Sequence, residues 1–157
     1  MISNLQTNSN SKVAFKNIVL LASGYNQEWV RAIYEVADSF GEELAFVGIS
    51  RTAFLNQNGN SITGSIPSYL LSEILETFIP KLLIIPDGKP CFMQLFVDPR
   101  VHCLISKTAS SRGKIALAAD AQLALPCLPP QFRVPHSHFY FQKNLGPSEF
   151  ARQMFAR

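Results

Sequence analysis

The stretch from Ile115 to Ala121 indicates a buried strand that runs directly into a helix, which is where many α/β hydrolytic folds hold their nucleophile. The attacking atom at such a turn is the oxygen of a Ser or Thr or the sulfur of a Cys. The turn in this chain carries Ala118 and Ala119, whose methyl groups cannot attack. The sequence therefore predicts the framework of an enzyme without its nucleophile, and no catalytic residue is assigned.

Polar residues follow three of the predicted strands, in loops 24–28, 86–88 and 119–120. Ligands of parallel α/β sheets collect outside the carboxyl ends of the strands, so these loops should meet at one crevice. The residues predicted to line this candidate ligand-binding crevice are Gly24, Tyr25, Asn26, Glu28, Asp87, Gly88, Ala119 and Asp120. Because several of them are acids, the crevice should prefer a cationic or polyhydroxyl ligand.

Cys91 follows the loop at Pro86 and is near enough in sequence to reach the crevice. A nucleophilic thiol needs a base or a positive charge beside it, and no His is visible there, so a small buried hydrophobe is favoured. Cys103 and Cys127 also lack CxxC spacing or a His partner. Unpaired thiols of this kind favour a reduced protein in the cytoplasm.

His136 and His138 flank Ser137, and on a strand this spacing places both imidazoles on one face, where they can bind a metal. No third ligand is apparent, so a structural or exposed pair is favoured, and the sequence predicts neither a metal nor a cofactor. His102 falls on a predicted helix and is expected to face solvent. Asp120 is expected to cap the helix after the turn, with a ligand-binding role as the alternative.

The elements that must position these residues begin with a βαβ unit. Ile18 to Ala22 is a continuous apolar run, as in a central parallel strand, and Leu44 to Ile49 is a second one. Between them, apolar residues recur at helical spacing from Trp29 to Phe40, and Gly41 ends this predicted helix.

Strands and helices continue to alternate along the remaining chain. Predicted strands lie at 82–85, 115–119 and 139–141, and predicted helices begin at Ser68, at Asp98-Pro99 and at Gly146-Pro147. The helix from Ser68 is expected to continue through Phe78 and to stop at Pro80, whereas Asn56 to Gly64 is expected to form a hairpin excursion. Prolines at 126, 129 and 130 should limit the helix after the elbow to a turn or two.

This alternation predicts a flavodoxin-like three-layer α/β sandwich, with a mainly parallel sheet and helices on both faces. The 157 residues fit a single domain, 15–157, preceded by a disordered polar N-terminus, 1–14. No apolar run approaches the ~20 residues that span a bilayer, so no membrane association is expected. The net charge of +3 comes without a basic stripe, which argues against nucleic-acid binding.

Several segments resemble the PfpI-like branch of the class I glutamine amidotransferase-like superfamily, from about Lys16 to the C-terminus. Leu83 to Gly88 is similar to the family's strand and Pro-Gly-Gly loop. Two further matches are Asp98 to Val101 followed by Gly113 to Ala116, similar to the helix and strand before its nucleophile elbow, and Gly146-Pro147 with Phe150-Ala151, similar to its closing helix. The family includes intracellular proteases, chaperones, deglycases and sensory domains, and its members often pair.

The resemblance places the family's cysteine at Ala119 and the residue after it, often His, at Asp120. The family's acidic residue on the first loop falls near Trp29, one position from Glu28. The loop glycine that would donate its N–H to an oxyanion falls at Asp87, whose negative charge opposes an oxyanion. Three parts of the machinery are altered, so the resemblance implies a degenerate member of the family.

The favoured interpretation is a non-catalytic PfpI-like domain that binds a small molecule or a protein partner in a sensing or regulatory role. One alternative is a structural homodimeric interaction protein. The other is a degenerate hydrolase or deglycase-like enzyme that uses Cys91 or a water activated by Glu28 or Asp120. A hydrophobic share of 47% agrees with a homo-oligomer, because an interface hides apolar surface.

Overall fold

A computed structural model describes residues 14–55 and 66–156 of the chain. The predicted polar N-terminus 1–14, apart from Ala14, and the hairpin predicted at Asn56 to Gly64 lie outside the described residues. Ala14 itself opens the first strand, so that strand begins slightly earlier than the predicted domain boundary.

The described residues build a six-stranded sheet in which every neighbouring pair of strands is parallel. Its strands are β1 (Ala14–Leu21), β2 (Leu44–Gly48), β3 (Ser68–Leu70), β4 (Phe78–Ile85), β5 (Lys114–Leu117) and β6 (Phe139–Phe141). They lie side by side in the order β3-β2-β1-β4-β5-β6. This is the flavodoxin-like α/β arrangement predicted from the sequence, and that prediction is confirmed.

Helices cover the sheet on both faces. They are α1 (Gln27–Ser39), α2 (Leu71–Ile74), α3 (Lys89–Phe96), α4 (Pro99–Ser110) and α5 (Pro147–Phe155), with short 3-10 helices at Arg51–Phe54, Ala121–Cys127, Pro130–Phe132 and His136–His138. Because β2 and β5 lie on opposite sides of the β1 and β4 pair, right-handed crossovers place α1 and α4 on opposite faces. Helix α5 packs on α1. No helix of the described ranges has the length and apolar character needed to cross a bilayer.

The carboxyl-terminal halves of the two central strands form the middle of the core. Ile18 to Leu21 of β1 and Leu83 to Ile85 of β4 are fully buried. A strand covered on both faces has no solvent side for polar residues, which explains why these runs are continuously apolar. Each such side chain contributes about 1.5–3 kcal/mol when it is removed from water. The loops after these two strands therefore begin at the most deeply buried part of the sheet.

Local signals begin two helices at the predicted positions, beside the carboxyl ends of strands. At α1, Oδ1 of Asn26 accepts a hydrogen bond from the N–H of Trp29 over 3.1 Å. At α4, Oδ1 of Asp98 accepts from the N–H of Arg100 over 2.9 Å, and Pro99 occupies the first helical position. These side chains satisfy backbone donors that have no partner inside the helix.

The predictions for the segment from Ser68 to Pro80 are wrong. Ser68 begins strand β3 rather than a helix, and α2 after it is a single turn that ends at Ile74. Pro80 lies inside β4, next to a shift in register between β4 and β1. A proline is tolerated there because an irregular ladder does not require its missing N–H. Helix α3 was not among the predicted elements.

Candidate functional site

The turn after β5 carries no hydroxyl or thiol that could attack a substrate. Ala118 is fully buried, and its N–H donates to the carbonyl oxygen of Ile85 at the end of β4 over 3.1 Å. Ala119 is half-buried, and the chain then enters the 3-10 helix Ala121–Cys127. That helix is as short as the prolines predicted. The elbow itself presents methyl groups where a nucleophile would stand.

The N–H of Ala119 is bonded to a side chain that no sequence pattern predicted. Oε1 of Gln142, the residue after β6, accepts from the N–H of Ala119 over 2.9 Å and from Nε1 of Trp29 over 3.0 Å. Nε2 of Gln142 donates to the carbonyl oxygen of Leu145 over 2.8 Å. Gln142 is only 7% exposed, whereas glutamine is usually a surface residue. We call this set of contacts the Gln142 bridge.

The Gln142 bridge resembles an oxyanion hole that is already filled. Two N–H donors that converge on one oxygen are the arrangement by which acyl-transfer enzymes hold a developing negative charge. Here the oxygen belongs to the neutral amide of Gln142, and both donors are satisfied by it. One donor is Trp29, beside the position where the family resemblance places an acidic residue. A substrate oxygen can reach these donors only if Gln142 leaves.

The loops after β1 and β4 pack directly against each other. The N–H of Asn26 donates to the carbonyl oxygen of Asp87 over 2.9 Å, and Nδ2 of Asn26 donates to Oδ2 of Asp87 over 3.3 Å. Gly88 has a φ of +114°, and a Cβ added there would lie 2.6 Å from the carbonyl oxygen of Gly24. Backbones this close leave no space for a ligand between Gly24 and Gly88.

The other residues predicted to line the crevice differ in exposure. Tyr25 is fully buried, and its hydroxyl donates to the carbonyl oxygen of Phe54 over 2.8 Å, so its ring belongs to the core. Glu28 and Asp120 are exposed, and neither forms an ion pair with any other described residue. The side chain of Asp120 does not cap the 3-10 helix after it, so the capping predicted for it is wrong.

Cys91 is a buried thiol at the start of α3. Its Sγ accepts a hydrogen bond from the N–H of Ala22, at the end of β1, over 3.3 Å. Burial raises the pKa of the Cys91 thiol to about 12; the Ala22 N–H offsets part of this rise and the charge of Asp87 adds to it. A thiol with its pKa raised this far keeps its proton at neutral pH, whereas the thiolate is the nucleophilic form. The predicted burial of Cys91 is confirmed.

The histidines occupy surroundings other than those predicted. His136 and His138 lie on a 3-10 helix rather than on a strand, so the strand geometry considered for metal binding does not apply; His136 is exposed and His138 half-buried. His102 is buried rather than facing solvent, because Nε2 lies 2.6 Å from the carbonyl oxygen of Phe96 and the ring packs on Phe132 at 5.2 Å between centroids. Within the described part of the chain, no three His, Cys, Asp or Glu residues are grouped so that they could hold a metal.

The sequence of the chain matches no family model and no curated protein. Its fold is similar to that of solved DJ-1 proteins. Drosophila melanogaster DJ-1beta superposes with a TM-score of 0.72 at 16% identity, over 90% of this chain and 89% of that one. Oxidised DJ-1 of Toxoplasma gondii superposes with a TM-score of 0.68 at 14% identity, over 90% of this chain and 89% of that one. A ThiJ/PfpI family protein from Pseudomonas syringae gives 0.66 at 13% identity, over 92% of this chain and 69% of that one.

The chain therefore has the fold of the DJ-1/ThiJ/PfpI proteins. The resemblance to the PfpI-like branch of the class I glutamine amidotransferase-like superfamily is confirmed at the level of the fold. Structural similarity at 13–16% sequence identity shows that the folds are alike. It does not show that the activities are alike, so the activity must be argued from the residues of the site.

Proposed function

We propose that this chain is a non-catalytic domain of the DJ-1/PfpI fold that acts by binding, in a sensing or regulatory role. The observation that carries the proposal is the Gln142 bridge. Ala119 offers no attacking atom at the elbow, and Oε1 of Gln142 already accepts the N–H of Ala119, so this donor is not open to a substrate oxygen. A methyl group thus stands in place of the attacking atom, and the N–H donor of the elbow is used in a hydrogen bond that holds the fold together.

A degenerate enzyme that uses Cys91 is disfavoured by the burial of that thiol. A thiol with a pKa of about 12 supplies almost no thiolate at neutral pH, and its Sγ already accepts a bond from the chain. A water activated by Glu28 or Asp120 is disfavoured because both carboxylates are exposed. General bases at functional sites are usually tuned by burial or by a neighbouring charge.

Exposed apolar side chains favour a protein partner, including a second copy of this chain. Val97 is 62% exposed after α3, and Leu123 is 78% exposed on the 3-10 helix that packs against α3. Contiguous exposed apolar patches are typical of surfaces that another protein covers, and we propose that Val97 and Leu123 belong to one such patch. Binding through this face needs no opening of the elbow. The free thiols of Cys91, Cys103 and Cys127 agree with the cytoplasm as the compartment.

Two assays on the purified chain test the absence of catalysis. We expect no turnover of p-nitrophenyl acetate or of methylglyoxal above the buffer rate, for the wild type and for Cys91→Ala alike. Turnover by the wild type that is lost in Cys91→Ala would establish a cysteine enzyme and overturn the proposal. Turnover that survives Cys91→Ala but is lost in Glu28→Gln or Asp120→Asn would overturn it in favour of an activated water.

Two further measurements test binding. Thermal-shift screening with amines, sugars and nucleotides examines the small-molecule role, and size-exclusion chromatography with light scattering examines self-association. A rise in Tm with a ligand, or a dimer that Leu123→Ser dissociates, is the expected result. A strict monomer that responds to no compound and captures no partner protein would remove the support for a binding role.

A further inference from the structure

A small pocket lies where the segment after the elbow folds over the start of β6. It is open to solvent and has a volume of about 230 Å³, and its wall includes the apolar side chains of Leu125, Leu128, Val134 and Phe139. Leu128 and Phe139 are themselves buried, so the wall is continuous with the core. An apolar cavity of ~150 Å³ is large enough for a benzene ring. The pocket can therefore take a ring or a branched aliphatic group together with one small polar group.

Arg133 is an exposed residue that lines the same pocket, and two hydrogen bonds to the chain orient its side chain. Its Nε donates to the carbonyl oxygen of Leu128 and its Nη2 donates to that of Pro126, each over 3.2 Å. A guanidinium has five N–H donors, so three remain for another group. The ion pairs within the described ranges join Lys81 with Glu42 and Arg100 with Asp98, so no carboxylate neutralises Arg133.

His136 adds a second polar group and an aromatic edge to the lining. Its ring stands nearly perpendicular to Phe139, with 6.3 Å between centroids, and lies 5.4 Å from the ring of Phe141. One ring nitrogen of a neutral histidine always carries a proton, so His136 can donate one hydrogen bond. The lining thus combines a fixed cation, a further donor and an apolar wall.

We propose that this pocket binds a small monocarboxylate with an aromatic or branched apolar body. The carboxylate pairs with the open edge of the Arg133 guanidinium, whose planar fork matches two carboxylate oxygens. The apolar body lies against Leu128, Val134 and Phe139. A single fixed cation suits a monoanion better than a phosphate, which would require more positive charge. This site involves none of the residues of the elbow and goes beyond the proposed function.

Sodium benzoate is the probe, and amide chemical shifts of the full chain are the measurement. Benzyl alcohol keeps the ring and removes the charge, whereas sodium acetate keeps the charge and removes the ring. We expect benzoate to perturb residues 125–139 saturably and to bind about tenfold more tightly than either comparison compound. Equal affinity for benzoate and benzyl alcohol, or shifts confined to other parts of the chain, would overturn the proposal.

Arg133→Gln is the first test variant, and Arg152→Gln, an exposed arginine on α5, is its matched control. Arg133→Gln should weaken benzoate about tenfold, to the affinity of benzyl alcohol, whereas Arg152→Gln should leave it unchanged. Since Arg133 also holds two loop carbonyls, Leu125→Trp provides a second test that fills the pocket and keeps the cation. Benzoate that still binds Leu125→Trp or Arg133→Gln at wild-type affinity would show that the pocket is not the site. Neither variant touches the elbow, so these results are independent of the turnover assays.

Discussion

Nε1 of Trp29 donates to Oε1 of Gln142 over 3.0 Å and so joins α1 to the segment after β6, at a separation of 113 residues. The same oxygen accepts the N–H of Ala119, so three distant parts of the chain meet at one buried amide. In this chain, the elbow contributes to the stability of the fold.

Gln142→Ala should lower the free energy of unfolding by about 2–6 kcal/mol, because it leaves two N–H donors without an acceptor at about 1–3 kcal/mol each. Urea denaturation followed by tryptophan fluorescence measures the change, and Trp29 is the chain's only tryptophan. Gln153→Ala, at an exposed position on α5, is the control and should stay within about 0.5 kcal/mol of wild type. Similar losses of unfolding free energy in both variants would mean that the Gln142 bridge stabilises the fold no more than an exposed side chain does.

Ala119→Cys should not produce a cysteine hydrolase, although it places a thiol at the elbow. Gln142 would still occupy the N–H of residue 119, and a thiol without a neighbouring base or cation gains no activation. Hydrolysis of p-nitrophenyl acetate beyond one acetyl group per added thiol should therefore not occur. The wild type is the matched control, because it already carries the exposed thiols of Cys103 and Cys127. Multiple turnovers by the variant would show that the elbow retains working machinery.

Gly88→Ala should destabilise the chain far more than Gly41→Ala. Both glycines have a positive φ, +114° at Gly88 and +70° at Gly41. A Cβ at Gly88 would also meet the carbonyl oxygen of Gly24 at 2.6 Å, whereas nothing lies within 4 Å of one at Gly41. We expect a loss of about 3 kcal/mol or more at Gly88 and about 1 kcal/mol at Gly41 in denaturant unfolding. Equal losses would indicate that the two loops can separate at no cost.

The fold was predictable where the signal is local. The apolar run Ile18 to Ala22 and the Asp98-Pro99 helix start need only neighbouring residues to be recognised. The segment from Ser68 failed because its conformation depends on a distant partner, since Ser68 pairs with Phe46 of β2. A helix signal read from spacing alone cannot include that pairing.

The site was predictable only in part, for a related reason. The methyl group at Ala119 follows from the sequence, because the elbow is a local strand-to-helix pattern. The sequence does not reveal which group accepts the N–H of Ala119. Gln142 is 23 residues away and reaches this N–H only because β5 pairs with β6. His102 was misjudged likewise, because the groups that enclose it, Phe96 and Phe132, come from other elements.

The burial of Cys91 predicts a loss of stability at alkaline pH. Its thiol keeps the proton up to a pKa of about 12 in the folded chain, against 9.0 for the ordinary thiol. Between these values the unfolded state binds fewer protons than the folded state, so the free energy of unfolding falls as pH rises. The slope attributable to Cys91 is about 1.4 kcal/mol per pH unit above pH ~9, and it vanishes below that pH.

Urea denaturation of wild type and Cys91→Ala from pH 7 to beyond pH ~10 isolates this slope, because other titrating groups are common to both proteins. The cavity left by Cys91→Ala lowers stability by a similar amount at every pH, so the two curves should converge only on the alkaline side. Cys103→Ala removes an exposed thiol and should keep the wild-type slope. Parallel curves for wild type and Cys91→Ala would mean that Cys91 ionises at its ordinary pH in the folded chain, which would return it to consideration as a nucleophile.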